Sequence, residues 1–376
     1  MSELWQSYSD DAFVAEVREF VREHIAPVAD EYDRDDIYPL AIAKGLAKKG
    51  WTSITLSPEY GGGGRDYQLA VALFEEVAVG SAAVAISIMS TFQAQTIITR
   101  FGNDSLKKRY LPMFREGLLC AYALTEANHG SDIRHLDTKA HLDGNEWVIH
   151  GEKSFITSGS AAEFFIILAE TDAGVSVFAV PRDTPGLSTY IGVESATFGL
   201  RNGPHVNLVL DHVRIPADHL VGIEGKGVRQ VVTTLDYSRT LAAAVGIGIS
   251  RAAFDDSLEY ARGRNVFGQK VFDFQGIQWY FAEMLTEIDA ARLLVYRAAE
   301  ALNRHEDIER YSSEAKLKAE SVAAKMASIA MQVCGAHGTA TNTSFGRYLR
   351  DAKTYEIAGG SAEILKNTIA RYLQKG

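Results

Sequence analysis

Hydrophobic residues recur at helical spacing along the first third of the chain. The first stripe consists of Phe13, Val17, Phe20, Val21 and Ile25. Because proline breaks a helix interior, we expect this helix to end at Pro27. The same spacing predicts further helices over residues 40–49, 66–79, 82–101 and 105–115. The segment 82–101 is apolar on nearly every face, which predicts a buried central helix.

The pattern changes near residue 118, where short apolar runs of β-type residues begin to alternate with turn residues. These runs cover residues 118–124, 142–149, 164–170, 175–180 and 206–213. An Asp-Gly pair at 143–144 is a typical signal for a hairpin between two strands. The middle of the chain is therefore predicted to form a small antiparallel β-domain.

Beyond Gly227 the helical period returns in four long segments. They cover residues 229–262, 273–304, 312–333 and 345–373. Four helices of this length are enough for a bundle. We therefore predict an α+β protein with an N-terminal helical domain (1–117), a middle antiparallel β-domain (118–228) and a C-terminal four-helix bundle (229–376).

The composition limits which binding partners and which cellular compartment we expect for this protein. The 376 residues are 47% hydrophobic, enough for a large core, and the net charge of −10 offers no basic footprint for nucleic acid or an anionic membrane. Cys120 and Cys334 have neither metal-like nor disulfide-like spacing, which favours a reducing compartment. We see no signal peptide and no uninterrupted membrane-spanning run, so we expect a cytoplasmic protein without a membrane partner.

The stretch Tyr122–Asp132, which reads YALTEANHGSD, ends an apolar run in small and hydrogen-bonding residues. Gly130 lets the main chain approach a ligand closely, and Thr125 and Ser131 add hydroxyl groups. Such a junction suits a flat heterocycle that carries a phosphate tail. By itself the stretch could equally be a polar turn that leads into a helix.

Three further glycine-punctuated segments occur in the chain. They are GEKSFITSG at 151–159, QVCGAHG at 332–338 and YEIAGGSAE at 355–363. Together with TEANHGSD at 125–132, they resemble the motifs of the acyl-CoA dehydrogenase family, whose flavin loop reads T-E-x-x-x-G-S-D. The resemblance covers nearly the whole chain and implies the family's order of helical, β and helical domains.

The resemblance implies FAD as the cofactor. One group of positions would contact the flavin ring, the ribityl chain and the near phosphate, with the Thr157 hydroxyl bonded to flavin N5: Tyr122, Leu124, Thr125, Gly130, Ser131, Phe155, Ile156 and Thr157. A second group would contact the rest of the FAD molecule across a subunit interface: Arg264, Phe267, Gln275, Gln332, Val333, Gly335, Ala336, Ser361 and Glu363. The resemblance thus implies a homo-oligomer, either a dimer or a tetramer.

The resemblance also implies the substrate and the reaction. An acyl-CoA or acyl-carrier-protein thioester would be desaturated between Cα and Cβ by proton abstraction and hydride transfer to flavin N5. Electrons would then pass to an electron-transferring flavoprotein. The thioester carbonyl would accept a hydrogen bond from the backbone of Gly359 or Gly360. The matching substrate-contacting positions are Ser131, Asp236, Tyr237, Arg239 and Gly360.

The chain departs from the family at the catalytic base. Most relatives place a glutamate where this chain has Gly359, and a branched-chain subgroup places it where this chain has Ser238. Three interpretations stay open at this point. Another carboxylate, Asp236 or Glu356, could take the α-proton. The chain could instead catalyse a different flavin reaction, as a monooxygenase or oxidase, or it could be a non-catalytic flavin-binding subunit.

Overall fold

The computed structural model describes residues 4–6, 8–192, 196–203 and 205–374. Helices precede and follow a central sheet, which confirms the predicted fold class. The N-terminal helices are α1 (Asp11–Phe20), α2 (Ala29–Asp35), α3 (Leu40–Lys48), α4 (Tyr67–Gly80), α5 (Ala82–Phe101) and α6 (Asp104–Arg115). Polar side chains cap several of their first turns: Asp10 accepts hydrogen bonds at α1, Asp66 at α4 and Ser81 at α5.

The expected end of the first helix at Pro27 is wrong. A wide turn over Val21–Ile25 and a tight turn over Ala26–Val28 carry the helical path from α1 into α2. Pro27 lies in the first turn of the new segment, where its missing N–H would have no helical partner in any case. The proline therefore changes the type of turn without ending the helical path.

Helix α5 is the central helix that its composition predicts. Among the described residues, it alone is long and apolar enough to cross a membrane, but 83% of its apolar window is buried inside the fold. It packs on α4 and α6, on the first strand of the sheet and on the first helix of the C-terminal region. Its apolar composition is therefore that of a core helix.

Within the described part of the chain, the sheet has seven strands. They are β1 (Cys120–Ala123), β2 (Lys139–Asp143), β3 (Glu146–Ile156), β4 (Phe164–Thr171), β5 (Gly174–Pro181), β6 (Leu187–Tyr190) and β7 (Val206–Pro216). Their order is β1-β4-β2-β3-β7-β6, and β5 pairs with β4. The sheet differs in detail from the all-antiparallel expectation, because the β2–β3 hairpin lies between β1 and β4 in sequence. Consequently β4 runs parallel to both β1 and β2.

The C-terminal region contains one helix more than predicted. Helices α7 (Gly227–Gly263), α8 (Gln275–Arg304) and α9 (Ile308–Cys334) are followed by α10 (Phe345–Ile357) and α11 (Ala362–Gln374). A short hairpin of β8 (Asn265–Val266) and β9 (Gln269–Lys270) joins α7 to α8. The predicted helix over 345–373 is broken because Gly359 and Gly360 have φ values of 69° and 109°, outside the helical region. We refer to residues 358–361 as the Gly359–Gly360 turn.

Candidate active site

The loop after β1 is held against strand β3. The Ser154 N–H donates to the Thr125 carbonyl at 2.9 Å, and Lys153 Nζ donates to the Leu124 carbonyl at 3.3 Å. Lys153 Nζ also donates to Glu126 Oε1 at 2.7 Å, and both side chains are buried. The structure therefore brings the TEANHGSD loop and the GEKSFITSG strand together, which are two separate motifs in the sequence.

Glu126 is the anchor of this loop. Its carboxylate accepts hydrogen bonds from the N–H groups of Asp137 and Thr138 as well as from Lys153. Burial opposes ionisation, but Lys153 and these donors outweigh it and lower the pKa of Glu126. Burial lowers the pKa of Lys153 to about 8, although Glu126 favours its charged form. Neither Glu126 nor Lys153 was predicted to have a role, although both belong to the quoted motifs.

Strand β3 presents three of the predicted flavin-contacting residues at its C-terminal end. Phe155 has a φ of 56° and is 46% exposed, Ile156 is buried and Thr157 is half-buried. A positive φ in a phenylalanine is strained, so tertiary contacts must hold it. One such contact comes from Ser158, whose hydroxyl donates to the Ser87 carbonyl of α5 at 3.3 Å.

The remaining residues of the first predicted group follow β1. Tyr122 and Leu124 are half-buried at the end of the strand, and Thr125 is half-buried at the start of the loop. Gly130 and Ser131 are exposed further along. This loop is half-buried at its start and exposed further along, and it lies beside the exposed ring of Phe155. Together they offer a ligand both an apolar wall and free polar groups.

A second cluster forms around the β8–β9 hairpin. A cleft of about 450 Å³ is lined by Tyr260, Arg264, Val266, Val271, Val333, Cys334, Gly335, Ala336 and His337. The His337 ring stacks on the Tyr260 ring with centroids 4.8 Å apart, which forms one flat wall. The cleft thus gathers Arg264, Val333, Gly335 and Ala336 from the second predicted group.

Other members of the second predicted group lie outside this cleft. Phe267 is 95% exposed at the tip of the hairpin, Gln275 begins α8, and Gln332 is exposed near the end of α9. Ser361 is the last residue of the Gly359–Gly360 turn, and Glu363 lies in the first turn of α11. The structure therefore brings together only part of the second group within one subunit.

The Gly359–Gly360 turn lies against Arg239 of α7. A Cβ atom placed on Gly360 would lie 3.3 Å from Arg239 Nη2. Arg239 Nη1 donates to Asp236 Oδ1 at 2.8 Å, and both side chains are buried. Burial raises the pKa of Asp236 to about 6, although Arg239 favours its ionised form. Arg239 thus joins the turn to the only carboxylate among the three predicted catalytic positions.

Residues 236–239 lie on α7, and their side chains face different neighbours. Ser238 Oγ accepts a hydrogen bond from Gln93 Nε2 of α5 at 3.2 Å. Tyr237 is buried with its ring against Tyr67. Asp236 instead faces a cleft of about 520 Å³ beside α9 and α11. A regular helix separates residues two positions apart in this way, so Asp236 and Ser238 do not share a face.

The cleft at Asp236 carries an excess of positive charge. Arg134, Lys226, Arg229 and Arg371 line it, against the carboxylates of Asp236 and Glu309. We call it the cationic cleft. Such an arrangement attracts a ligand with several negative charges, such as a phosphate-bearing carrier group.

Comparison with known proteins identifies the family. Models of the acyl-CoA dehydrogenase N-terminal, middle and C-terminal domains match residues 7–117, 121–213 and 225–374. An acyl-CoA dehydrogenase of Bacillus subtilis (strain 168) is 35% identical over 367 residues, which cover 96% of each chain. The chain belongs to the acyl-CoA dehydrogenase family. It is therefore an oxidoreductase that acts on CH–CH groups.

Solved structures of acyl-CoA dehydrogenase relatives share the whole fold. Butyryl-CoA dehydrogenase from Megasphaera elsdenii superposes with a TM-score of 0.94 at 31% identity, over 98% of this chain and 100% of that one. The prolyl acyl carrier protein oxidase AnaB superposes with a TM-score of 0.92 at 26% identity, over 96% and 98% of the two chains. The fold thus carries both coenzyme A and carrier-protein substrates in related proteins.

Members of the acyl-CoA dehydrogenase family bind FAD, so FAD is the cofactor of this protein. The residues present fit it. Arg264 is exposed at the second cleft, and its guanidinium makes no hydrogen bond or ion pair with the described residues, so its paired donors are free for a pyrophosphate. In the same cleft Gly335 has a φ of 59°, and no described atom lies within 4 Å of a Cβ placed there, so the backbone stays open to a ligand.

One pair of charged residues near the turn was missed by the sequence analysis. Lys316 and Glu320 lie four residues apart on α9, are fully buried and form an ion pair. The predicted candidate Glu356 lies nearby on α10, where it accepts a hydrogen bond from Lys353 Nζ at 2.6 Å. The spacing of Lys316 and Glu320 indicates an intrahelical pair, but only the packing of α10 on α9 decides that it is buried.

Proposed function

We propose that the protein desaturates an acyl thioester between Cα and Cβ, with an acyl-CoA as its substrate. The observation that carries this proposal is the position of the cationic cleft. Its floor includes Asp236, whose ion-pair partner Arg239 touches the Gly359–Gly360 turn. A phosphate-bearing carrier bound in the cleft would have its acyl end near that turn.

The turn supplies the polar groups that the thioester needs. In the proposed complex, the N–H of Gly359 or Gly360 donates to the thioester carbonyl and stabilises the enolate that forms when the α-proton leaves. Neither residue has a side chain, so a substrate can approach the backbone closely. FAD, when bound, accepts the hydrogen and the electron pair that leave Cβ.

We favour coenzyme A over a carrier protein as the carrier group. The cationic cleft suits the phosphates of either one. However, an acidic carrier protein would also meet a subunit with a net charge of −10. A carrier-protein substrate would have to depend on the local charge of the cleft alone.

The remaining roles follow from family membership and belong to the same proposal. We propose that FAD binds between two subunits of a homo-oligomer, either a dimer or a tetramer, and that an electron-transferring flavoprotein accepts the electrons. We also propose a cytoplasmic location, which the two buried free thiols of Cys120 and Cys334 favour.

Anaerobic reduction of the bound flavin tests the proposal. Straight, branched and cyclic acyl-CoA thioesters, and the same acyl groups on a carrier protein, are added to the FAD-loaded protein without oxygen. We expect the flavin absorbance to bleach with at least one acyl-CoA. Flavin that is bound but unreduced by every thioester would contradict the proposal and favour a non-catalytic subunit. Oxygen consumption with an external reductant, without bleaching by thioesters, would favour a monooxygenase.

A further inference from the structure

Behind the Gly359–Gly360 turn, the ion pair of Lys316 and Glu320 occupies the interface between α9 and α10. Lys316 Nζ donates to the Gly360 carbonyl at 3.0 Å and contacts a carboxylate oxygen of Glu320. A Cβ atom placed on Gly359 would meet only one described atom, Lys316 Cε, at 3.8 Å. One ammonium group thus spans the distance between the Glu320 carboxylate and the turn.

The turn leaves open space on the side of Lys316. Gly359 and Gly360 have no side chains, and Gly359 is exposed. A side chain at position 359 would begin in this space, next to the Lys316 stem. Because Lys316 Nζ contacts both the Gly360 carbonyl and the Glu320 carboxylate, that carboxylate lies one ammonium group away from the turn.

The surroundings of Glu320 differ from those of the buried Glu126. Apart from the ion pair with Lys316, neither of its oxygens accepts a hydrogen bond from the described residues. The structural carboxylate Glu126 accepts two backbone N–H groups in addition to its lysine. A buried carboxylate without such donors is costly to ionise, so it is a strong proton acceptor when it is ionised.

The other candidate carboxylates are already engaged. Asp236 is held by Arg239 and faces the cationic cleft. Glu356 is held by Lys353, at 2.6 Å, near the surface of α10. Each of the three carboxylates thus has one cationic partner. Glu320 is the one whose partner, Lys316, also donates to the Gly360 carbonyl of the turn.

We propose that Glu320 is the general base that takes the α-proton, and that Lys316 positions its carboxylate at the Gly359–Gly360 turn. The inference rests on the proposed desaturation. It assigns a catalytic base to a chain that has no glutamate at position 359 or at position 238. In the reaction, the Cα–H bond breaks and its proton forms an O–H bond with Glu320. The electron pair left on Cα forms the Cα=Cβ double bond, and the hydrogen on Cβ leaves with its electron pair. FAD, when bound, would supply the acceptor for that hydride.

Exchange of the α-hydrogen tests this assignment independently of flavin reduction. A thioester with sulfur at the β-position has no β-hydrogen to lose, so only proton transfer at Cα can occur. Uptake of deuterium from D₂O at Cα is followed by mass spectrometry on the FAD-loaded protein. We expect Glu320→Gln to slow this exchange by roughly 10²–10⁴-fold, the usual contribution of a general base.

The matched control is Glu314→Gln. Glu314 lies on the same helix and pairs with Arg310 at 2.8 Å, away from the turn. We expect this variant to exchange the α-hydrogen at the rate of the unmodified protein. FAD content and thermal unfolding are measured for both variants, so a loss of fold is separated from a loss of base.

A second variant covers the case in which Glu320→Gln fails to fold. Glu320→Asp keeps the charge beside Lys316 but withdraws the carboxylate by about one carbon–carbon bond, and a misplacement of about 1 Å can cost roughly 10²-fold in rate. We expect folded, FAD-loaded Glu320→Asp to exchange the α-hydrogen at least tenfold more slowly. A purely structural ion pair would leave the exchange rate unchanged.

The outcomes separate this inference from the proposed function. Unchanged α-exchange in a folded Glu320 variant would overturn the assignment of Glu320 while desaturation stands. Loss of exchange in Glu356→Gln or Asp236→Asn alone would also overturn it. If no thioester reduces the flavin of the unmodified protein and none exchanges its α-hydrogen, the proposed function itself is wrong.

Discussion

Gly359 occupies the position at which the sequence resemblance implies a catalytic side chain, but its backbone is suited to glycine. Its φ of 69° lies in the left-handed region, which L side chains rarely adopt. Ser238, at the alternative position, lies in a regular helix and faces Gln93 of α5. At the scale of single residues, the two positions therefore differ in backbone strain as well as in location.

This difference predicts which position can accept a new base. In a Glu320→Gln background, we expect Ser238→Glu to restore α-hydrogen exchange by at least tenfold, because its backbone needs no rearrangement. We expect Gly359→Glu to lower the free energy of unfolding by about 1 kcal/mol. Exchange rates and denaturant titrations of both double variants check this. Full rescue by Gly359→Glu without loss of stability would contradict the argument from backbone strain.

Arg264 provides a second prediction at the residue scale. If its guanidinium binds the FAD pyrophosphate, Arg264→Ala should weaken FAD binding by about 1–3 kcal/mol. Arg262→Ala is the matched control, because Arg262 lies over the Phe272 ring and does not line the cleft. FAD affinity is measured by fluorescence after removal of the cofactor. Equal affinities for the two variants would remove Arg264 from the FAD site.

The electrostatics of Glu320 predict a pH dependence. Burial is the largest effect and raises the pKa of Glu320, and the negative charge of Glu356 raises it further. The positive charges of Lys316 and Arg239 lower it in part. The buried hydroxyl of Tyr355 on α10 adds no charge, because its own pKa is raised well above the ordinary value. Since a base must be deprotonated to act, α-hydrogen exchange should increase as pH rises through the neutral range.

The measurement is the pH profile of α-hydrogen exchange in the unmodified protein and in Glu314→Gln. Both profiles should rise together toward alkaline pH. A rate that is already constant above about pH 5 would indicate a base with an ordinary carboxylate pKa. That result would point away from Glu320.

At the scale of elements, the buried pair of Glu126 and Lys153 joins the loop after β1 to strand β3. Two further hydrogen bonds strengthen this connection: Lys153 Nζ donates to the Leu124 carbonyl, and the Ser154 N–H donates to the Thr125 carbonyl. The predicted flavin-contacting residues at Thr125 and Phe155 depend on this contact for their relative position. The pair is therefore a local element of stability that also shapes the candidate FAD site.

Removal of Lys153 should be strongly destabilising. Lys153→Met leaves the Glu126 carboxylate buried without its cation, which typically costs about 3–5 kcal/mol of unfolding free energy. Lys139→Met is the control, since Lys139 forms an exposed pair with Glu170 that is worth about 1 kcal/mol or less. Denaturant titration of both variants measures the difference. Similar losses in the two variants would contradict the structural role of the buried pair.

At the scale of the whole molecule, the two predicted groups of FAD contacts occupy separate places in one subunit. Large apolar side chains are exposed beside the second group, including Phe267 at 95% and Trp279 at 61%. Exposed apolar surface of this kind is typical of a protein–protein contact. The proposed homo-oligomer would cover it and bring the two groups together around one FAD.

Dilution should therefore release FAD in parallel with subunit dissociation. We expect Phe267→Ser to raise the protein concentration at which both occur, because it removes an exposed apolar contact. Leu142→Ser is a control at another exposed apolar residue, which lies on β2 of the sheet. Sedimentation velocity recorded at the flavin absorbance follows both quantities. FAD that stays bound to a monomer would contradict a shared site.

Much of this organisation is predictable from the sequence because its causes are local. Hydrophobic period indicates α5 and the long helices of the C-terminal region, and turn residues separate the strands. The four glycine-punctuated motifs identify the family and its cofactor because each motif is a continuous stretch. The absence of a glutamate at Gly359 and Ser238 is likewise visible in the sequence alone.

Other features depend on contacts between residues far apart in the chain. The parallel pairing of β1 with β4 requires the β2–β3 hairpin to lie elsewhere in the sheet, and no local pattern encodes that placement. The helical path continues through Pro27 because a new turn begins there. Lys316 and Glu320 look like an ordinary surface pair on α9 until α10 and the Gly359–Gly360 turn cover them. Only tertiary packing removes that carboxylate from water, and its removal from water is what makes it a candidate base.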